Sequence, residues 1–329
     1  MKYIKNLIGI YLKGMAMGAA DVVPGVSGGT IAFITGIYER LIQAIKSIGF
    51  ANLKLLFTGK FRLFWRNIDG SFLLCLVLGI ATSFFTLAHL ITWLLDTYPI
   101  LVWSFFFGLV LSSTYLVGKG VKWEWRTILA FALFTIVSFV ITSPENAPLG
   151  TNSAYWYIFL CGVIAICAMI LPGISGSFIL VLLGQYYFLL HAIKTVDVPI
   201  LLLFISGAFI GIVSFANLLS WLFKHFKMIT LASLAGFMFG SLNKIWPWKH
   251  TVSTYTDNHD MVRPLIETNV SPAEYEQLTG NINHLLYAIL FIVTGIVLVL
   301  AVEFISLKLK KKANKTDKQD KVIMTDFNM

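Results

Sequence analysis

Charged residues and cysteines are both scarce in this chain of 329 residues. Only 12% of the residues are Asp, Glu, Lys or Arg, about half the share typical of soluble domains, and this excludes a soluble globular protein. The three cysteines, Cys75, Cys161 and Cys167, lie in apolar stretches without the spacing of metal ligands. They are interpreted as small core residues, so neither a metal site nor a cofactor is predicted.

Apolar and aromatic residues are abundant instead. Hydrophobic residues make up 57% of the chain, with 27 Phe, 12 Tyr and 9 Trp, more apolar surface than a globular core of this size could bury. The composition predicts an integral membrane protein. The net charge of +9 is spread over short loops and the C-terminal tail, which is a topology signal and not the one-sided basic face of a nucleic-acid-binding protein.

The apolar runs predict an all-α membrane fold. A helix needs about 20 apolar residues to cross the hydrocarbon core. Stretches of suitable length are found at about 71–95, 100–118, 127–142, 200–223, 229–246 and 284–306. Two further apolar segments, 10–45 and 155–192, are interrupted by Pro-Gly-x-Ser-Gly, which removes amide donors and bends the chain. These two are predicted to be broken, re-entrant helical hairpins.

The cations predict the orientation. Lysines and arginines flank the first broken segment on both sides, so it is expected to begin and end in the cytoplasm. By this reasoning 21 of the 25 cations face inward. The other four are Lys194, Lys244, Lys249 and Arg263. Both termini are expected in the cytoplasm, with an external loop at 247–282 that contains a short helix beginning at Ser271. The lysine-rich tail, 308–329, is expected to bind anionic lipids.

The chain contains an internal repeat. Residues 14–46 and 162–194 are identical at 13 of 33 positions at an offset of 148. At an offset of 128, matching pairs include Gly79 with Gly207 and Trp93 with Trp221. The halves 1–150 and 151–307 therefore each contain one hairpin and three spanning helices, and an odd number of spans gives them opposite orientations. Inverted repeats with broken helices are typical of secondary transporters; the alternative is a pseudo-symmetric scaffold without transport.

The two breaks are the predicted substrate site. Their glycines permit close approach to the backbone, and their hydroxyls and unpaired amides suit a phosphate or carboxylate. The candidate binding residues are Pro24, Gly25, Ser27, Gly28, Gly29 and Thr30 in the first break and Pro172, Gly173, Ser175, Gly176 and Ser177 in the second. The alternative is that these small residues only allow tight helix packing.

Charged residues accompany the first break only. Arg40 is the predicted cationic partner of a phosphate. Asp21 and Glu39 are predicted to bind a coupling proton or sodium ion, or to hold Arg40 when the site is empty. Two structural alternatives stay open: Asp21 as a helix cap, and Glu39 with Arg40 as an ion pair at the exit of the hairpin.

The motif PGVSGGT at 24–30, followed by Tyr38-Glu39, and its degenerate copy PGISGSF at 172–178 closely resemble a bacterial membrane family. That family was once a domain of unknown function and is associated with polyprenyl-phosphate translocation. The resemblance implies a flippase that returns undecaprenyl phosphate to the cytoplasmic leaflet of the bacterial inner membrane, for reuse in peptidoglycan and other envelope polymers. It also implies coupling or gating roles for Asp21, Tyr38 and Glu39.

Two other functions compete with this one. The motif is similar to the Pro-Gly-Thr-Ser-Arg-Ser-Gly element of the undecaprenyl-pyrophosphate phosphatase family, but Gly28 and Gly176 stand where that family has its catalytic arginine. Its paired glutamates are also missing, so the sequence predicts a transporter and not an enzyme. A small-anion transporter or channel would also use helix ends, without needing so many Phe and Trp. The oligomeric state stays open, with a homo-oligomer as one alternative.

Overall fold

The computed structural model of the chain describes residues 2–22, 27–143, 152–173, 176–256 and 262–304. The first half contains α1 (Lys2–Val22), α2 (Gly28–Ile34), α3 (Tyr38–Lys46), α4 (Phe50–Phe57), α5 (Phe61–Asn67), α6 (Gly70–Thr97), α7 (Pro99–Lys119) and α8 (Trp125–Thr142). The second half contains α9 (Tyr155–Ile170), α10 (Gly176–Leu182), α11 (Tyr186–Lys194), α12 (Val198–His225), α13 (Lys227–Ser241), β1 (Lys249–Thr256), β2 (Val262–Asn269), α14 (Pro272–Thr279) and α15 (Leu285–Phe304). The predicted tail, 308–329, lies outside the described residues.

Five helices in the described part of the chain are long and apolar enough to cross a membrane: α6, α7, α8, α12 and α15. The remaining predicted span, 229–246, is wrong in length, because α13 has 15 residues and ends at Ser241. Nine of those residues are buried, and α13 packs against α7 and α8. A helix enclosed by protein does not have to match the thickness of the lipid, which is why hydropathy overestimated its length.

Both predicted breaks interrupt helices. The first falls between Val22 and Gly28 and the second between Ile170 and Gly176. After the first break α2 folds back along α1, since the Lys13 ammonium donates to the carbonyl of Thr35 at 2.8 Å. The helices α1 and α2 therefore form one helical hairpin, and α9 with α10 forms the second.

Equivalent glycines bring equivalent helices together in the two halves. A Cβ atom at Gly14 would collide with the carbonyl of Leu76, and one at Gly162 would collide with the carbonyl of Phe204. These pairs are related by the same offsets of 148 and 128 that relate the sequence copies. The packing of α1 on α6 is thus repeated by α9 on α12.

Helices of one half also pack against helices of the other half. Gly108 of α7 lies against the backbone of Ile292 in α15, and Gly236 of α13 lies against the backbone of Phe131 in α8. The second of the three long helices in each half, α7 or α13, therefore packs on the third of the other half. This interlocking joins the halves into one bundle.

The helix α6 defines the two ends of the bundle. It begins beside α5, and its last residue is followed closely by α7, whose Trp103 contacts β1. Its 28 residues separate these ends by about 40 Å. We call them the α5 end and the β end. The β end carries the antiparallel strands β1 and β2, which the sequence did not predict, and the predicted helix after Ser271, which has a capping box with Glu274.

Candidate functional site

The two hairpin tips meet directly. The Ser27 hydroxyl donates to the carbonyls of Met169 and Leu171 at 3.3 and 3.2 Å. The amide of Gly173 donates to the Thr30 hydroxyl at 3.1 Å. Residues separated by more than 140 positions thus form one buried junction, which we call the tip junction, and Ser27 and Thr30 are fully enclosed within it.

Tyr38 adds a fourth hydrogen bond across the tip junction. Its hydroxyl donates to the carbonyl of Ile170 at 3.2 Å, and its ring packs against Phe33 and Phe223. The carbonyls that accept from Ser27 and Tyr38 lie where α9 ends, so they have no partner in a following helical turn. The side chains of the first tip therefore satisfy the exposed backbone of the second.

Asp21 caps the first tip. Its carboxylate accepts from the amide of Gly28 at 2.6 Å, and the Ser27 hydroxyl accepts from the amide of Gly29 at 3.1 Å. The geometry is that of the helix cap held open as an alternative for Asp21. It also places the Asp21 carboxylate on an amide donor that a bound phosphate would need.

Several tip glycines are required by close packing. A Cβ atom at Gly28 would lie 2.6 Å from the Asp21 carboxylate, one at Gly29 would lie 2.8 Å from the carbonyl of Ile170, and one at Gly173 would lie 2.7 Å from the Ser241 hydroxyl. Pro172 is buried beside them. Pro24, Gly25 and Ser175 lie outside the described residues, as does the side chain of Ser177.

The charges that follow the first hairpin have partners other than those predicted. Arg40 bonds Asp69 at 2.7 Å and stacks on the Phe72 ring at 4.2 Å, while Glu39 pairs with Lys227 at 3.0 Å. The expected pairs of Arg40 with Glu39 or Asp21 are therefore wrong. Neighbouring residues on a helix do not face each other, so Glu39 and Arg40 reach different elements, α13 and the turn before α6.

The α5 end is closed by α3 packing on α12. Gln43 and Lys46 both donate to the Ser220 hydroxyl at 3.0 Å. The repeat relates α3 to α11, and among the described residues α11 makes no comparable packing with α6. The difference is visible at one equivalent pair: Ile45 is 8% exposed and Ile193 is 57% exposed. The bundle is thus closed at the α5 end and more open at the β end.

Two cationic regions were missed by the sequence reasoning. At the α5 end a cavity of about 690 Å³ is lined by Arg62, Arg66 and Asp69, the partner of Arg40. At the β end Lys249 lies in β1, and its ammonium donates to the carbonyl of Lys244. In the sequence Lys244 lies at the end of the predicted span 229–246 and the other three cations lie in predicted loops. The one available signal was that Lys244 and Lys249 belong to the four cations that do not face inward.

Comparison with known proteins places the chain in a family. A family model described as undecaprenyl phosphate translocase-like matches residues 17–263. The chain belongs to that family. It is 46% identical over 299 residues to a polyprenyl-phosphate transporter of Vibrio cholerae, covering 91% of this chain and 96% of that protein. It is 33% identical over 254 residues to a polyprenyl-phosphate transporter of Staphylococcus aureus, covering 72% and 85%. No solved structure is significantly similar.

Family membership confirms the resemblance drawn from the Pro-Gly-x-Ser-Gly motifs. Both relatives are named transporters, so the chain is grouped with transporters and not with enzymes. Together with the five apolar helices, this makes it a multi-pass membrane transporter. The matched region contains the tip junction, the second hairpin and the first hairpin from residue 17 onward.

Proposed function

We propose that this protein carries polyprenyl phosphate across the membrane, moving undecaprenyl phosphate from the outer to the cytoplasmic leaflet for reuse in cell-envelope synthesis. The names of both relatives support the cargo. The tip junction is the observation that carries the mechanism, because it brings hydroxyl and amide groups of both broken helices together inside the bundle, where each group needs a hydrogen-bond partner. The isoprenoid tail stays in lipid while the headgroup passes the junction.

The paired packing of α1 on α6 and α9 on α12 supports two inverted repeats, each with one re-entrant hairpin. Alternating access then follows from exchanging the conformations of the halves. In the arrangement described here α3 packs on α12, whereas among the described residues α11 makes no comparable packing with α6. In the other state α11 closes on α6 and α3 leaves α12.

The headgroup is held between the tips after they separate. The Ser27 and Thr30 hydroxyls and the Gly173 amide are donors that bond carbonyls or each other in the closed junction. A phosphate offers them charge-assisted hydrogen bonds, which are about twice as strong as neutral ones. The protein therefore exchanges its own contacts for those of the cargo. Arg40 and the arginine cavity provide the cations on the α5 side, toward which the headgroup leaves.

Asp21 couples this exchange to a proton or sodium ion. A carboxylate on the Gly28 amide repels a phosphate at the same place, so it has to be neutralised or moved when the headgroup enters. We expect Asp21→Asn to keep the cap, lower transport and remove its dependence on pH and sodium, as measured in proteoliposomes with imposed gradients. Glu39→Gln is the matched control, because Glu39 pairs with Lys227 away from the tips. Unchanged gradient dependence in Asp21→Asn would rule out coupling at Asp21.

The cation distribution predicts that the α5 end is cytoplasmic and the β end is external. A cysteine placed at the exposed Lys60 should then react with an impermeant maleimide only from inside the cell, and one at the exposed Glu276 only from outside. The three native cysteines are first replaced by alanine. The reverse labelling pattern would invert the direction of transport proposed here.

The function itself is tested with leaflet-sided polyprenyl phosphate in proteoliposomes that contain only this protein. We expect labelled lipid added to the leaflet on the side of the β end to reach the opposite leaflet faster than in empty vesicles. Undecaprenol, which lacks the phosphate, is the control cargo. Equal rates for the phosphate and the alcohol would show that the tips do not select the headgroup.

A further inference from the structure

Lys244 and Lys249 place two ammonium groups in one partly enclosed region of the β end. Lys249 lies in β1 with its side chain only 7% exposed. Its ammonium donates to the carbonyl of Lys244 at 2.7 Å, and lies 4.1 Å from the centre of the Trp103 ring. The Lys244 ammonium lies 4.6 Å from the centre of the Phe178 ring.

The negative charge beside these lysines is too small to balance them. Glu267 of β2 is 3.7 Å from Lys249, and among the described residues no carboxylate lies within 4 Å of the Lys244 ammonium. The adjacent Asn243 has a buried side-chain nitrogen, and among the described residues this nitrogen has no hydrogen-bond partner. One positive charge and one donor are therefore left over in a region where burial makes both costly.

The region is next to the second hairpin tip. Phe178, which covers Lys244, follows Gly176 at the start of α10. Gly173 of the same tip packs against Ser241, three residues before Lys244. It also lies at the end of the bundle where α11 does not close on α6. An anion arriving from the β end would meet the lysines before the tip junction.

We propose that Lys244 and Lys249 form a capture site for the phosphate monoester headgroup of a lipid, separate from the tip junction. A phosphate monoester is nearly dianionic at neutral pH and would supply the negative charge that the Lys244 ammonium lacks. The Trp103 indole packs on the Lys249 ammonium, and such rings are common where headgroups meet acyl chains. This proposal rests on the proposed function, because it names the point at which the same cargo is first bound.

Binding should depend on pH through Lys249. Burial lowers the pKa of its ammonium to about 8, opposed by Glu267 and assisted by Lys244. Since the lysine loses its charge as the pH rises through that value, the affinity for the anion should fall between about pH 7 and 9. An arginine at the same position stays charged over this range, so Lys249→Arg should flatten the profile.

The test measures binding of geranylgeranyl monophosphate to the full-length protein in nanodiscs, with geranylgeraniol as the uncharged probe. We expect Lys244→Gln and Lys249→Gln each to weaken binding about 10- to 100-fold, the loss of one charge-assisted contact, without affecting geranylgeraniol. Lys122→Gln, in the exposed loop between α7 and α8, is the matched control and should bind as the wild type does. Thermal unfolding of each variant checks that it is folded.

Three results separate the two proposals. If the wild type transports the lipid but both glutamine variants bind and transport it equally well, the capture site is wrong and the proposed function stands. If the pH profile of Lys249→Arg matches that of the wild type, Lys249 does not contact the headgroup. If the wild type neither selects the monophosphate over the alcohol nor transports it, the proposed function fails as well.

Discussion

Cross-linking α3 to α12 should stop transport completely. Gln43 and Ser220 share a hydrogen bond of 3.0 Å across the closed α5 end, and in the proposed cycle this contact has to open once per turnover. A variant with Gln43→Cys and Ser220→Cys in a cysteine-free background, treated with a short bifunctional methanethiosulfonate that forms a reducible disulfide with each cysteine, should transport at the rate of empty vesicles. Reduction should restore the rate, because nothing else in the protein is changed.

The matched control is a cross-link inside one half. Tyr11 and Thr82 are joined by a hydrogen bond of 2.9 Å between α1 and α6, which move as one body in the proposed cycle. Tyr11→Cys with Thr82→Cys should therefore cross-link equally well and leave transport unchanged. Normal transport by the protein cross-linked between positions 43 and 220 would disprove opening at the α5 end.

Removing the hydroxyls of the tip junction should have the next largest effect. Thr30→Val keeps the shape of the side chain but removes the acceptor of the Gly173 amide. Ser27→Ala removes the helix cap and both bonds to the second tip. If the same hydroxyls donate to phosphate, each change should weaken headgroup binding about 10- to 100-fold, since a hydrogen bond to a charged group contributes ~1.5–3 kcal/mol.

Loss of the cap complicates Ser27→Ala, because a missing N-cap alone lowers stability by about 1 kcal/mol. Thermal unfolding measured beside binding separates the two effects, and Thr30→Val carries no such loss of a cap. Ser47→Ala is the control, since the Ser47 hydroxyl bonds only within α3, to the carbonyl of Gln43. If Thr30→Val and Ser27→Ala both bind with wild-type affinity, the headgroup site does not lie at the tips.

Much of the architecture depends on residues that are close together in the chain, so the sequence by itself determined it. Long apolar runs predicted six spans, and five of them are helices long and apolar enough to cross a membrane, because hydropathy over about 20 residues decides whether a segment is stable in lipid. The two Pro-Gly motifs located both breaks, since proline and glycine act on the backbone where they stand. The serine at 271 predicted the helix that follows it, because a cap contacts only the next turn.

The contacts between distant residues were decided by the tertiary structure alone. Arg40 bonds Asp69 and not its neighbour Glu39, and Ser27 bonds a carbonyl 144 positions away, although no local pattern specifies either partner. The pairing of Lys244 with Lys249 likewise depends on β1 and on the rings of Trp103 and Phe178. The internal repeat implies two equal halves. Whether the bundle closes at one end or at the other depends on how its helices pack in one conformation, and two nearly symmetric sequence copies do not decide this.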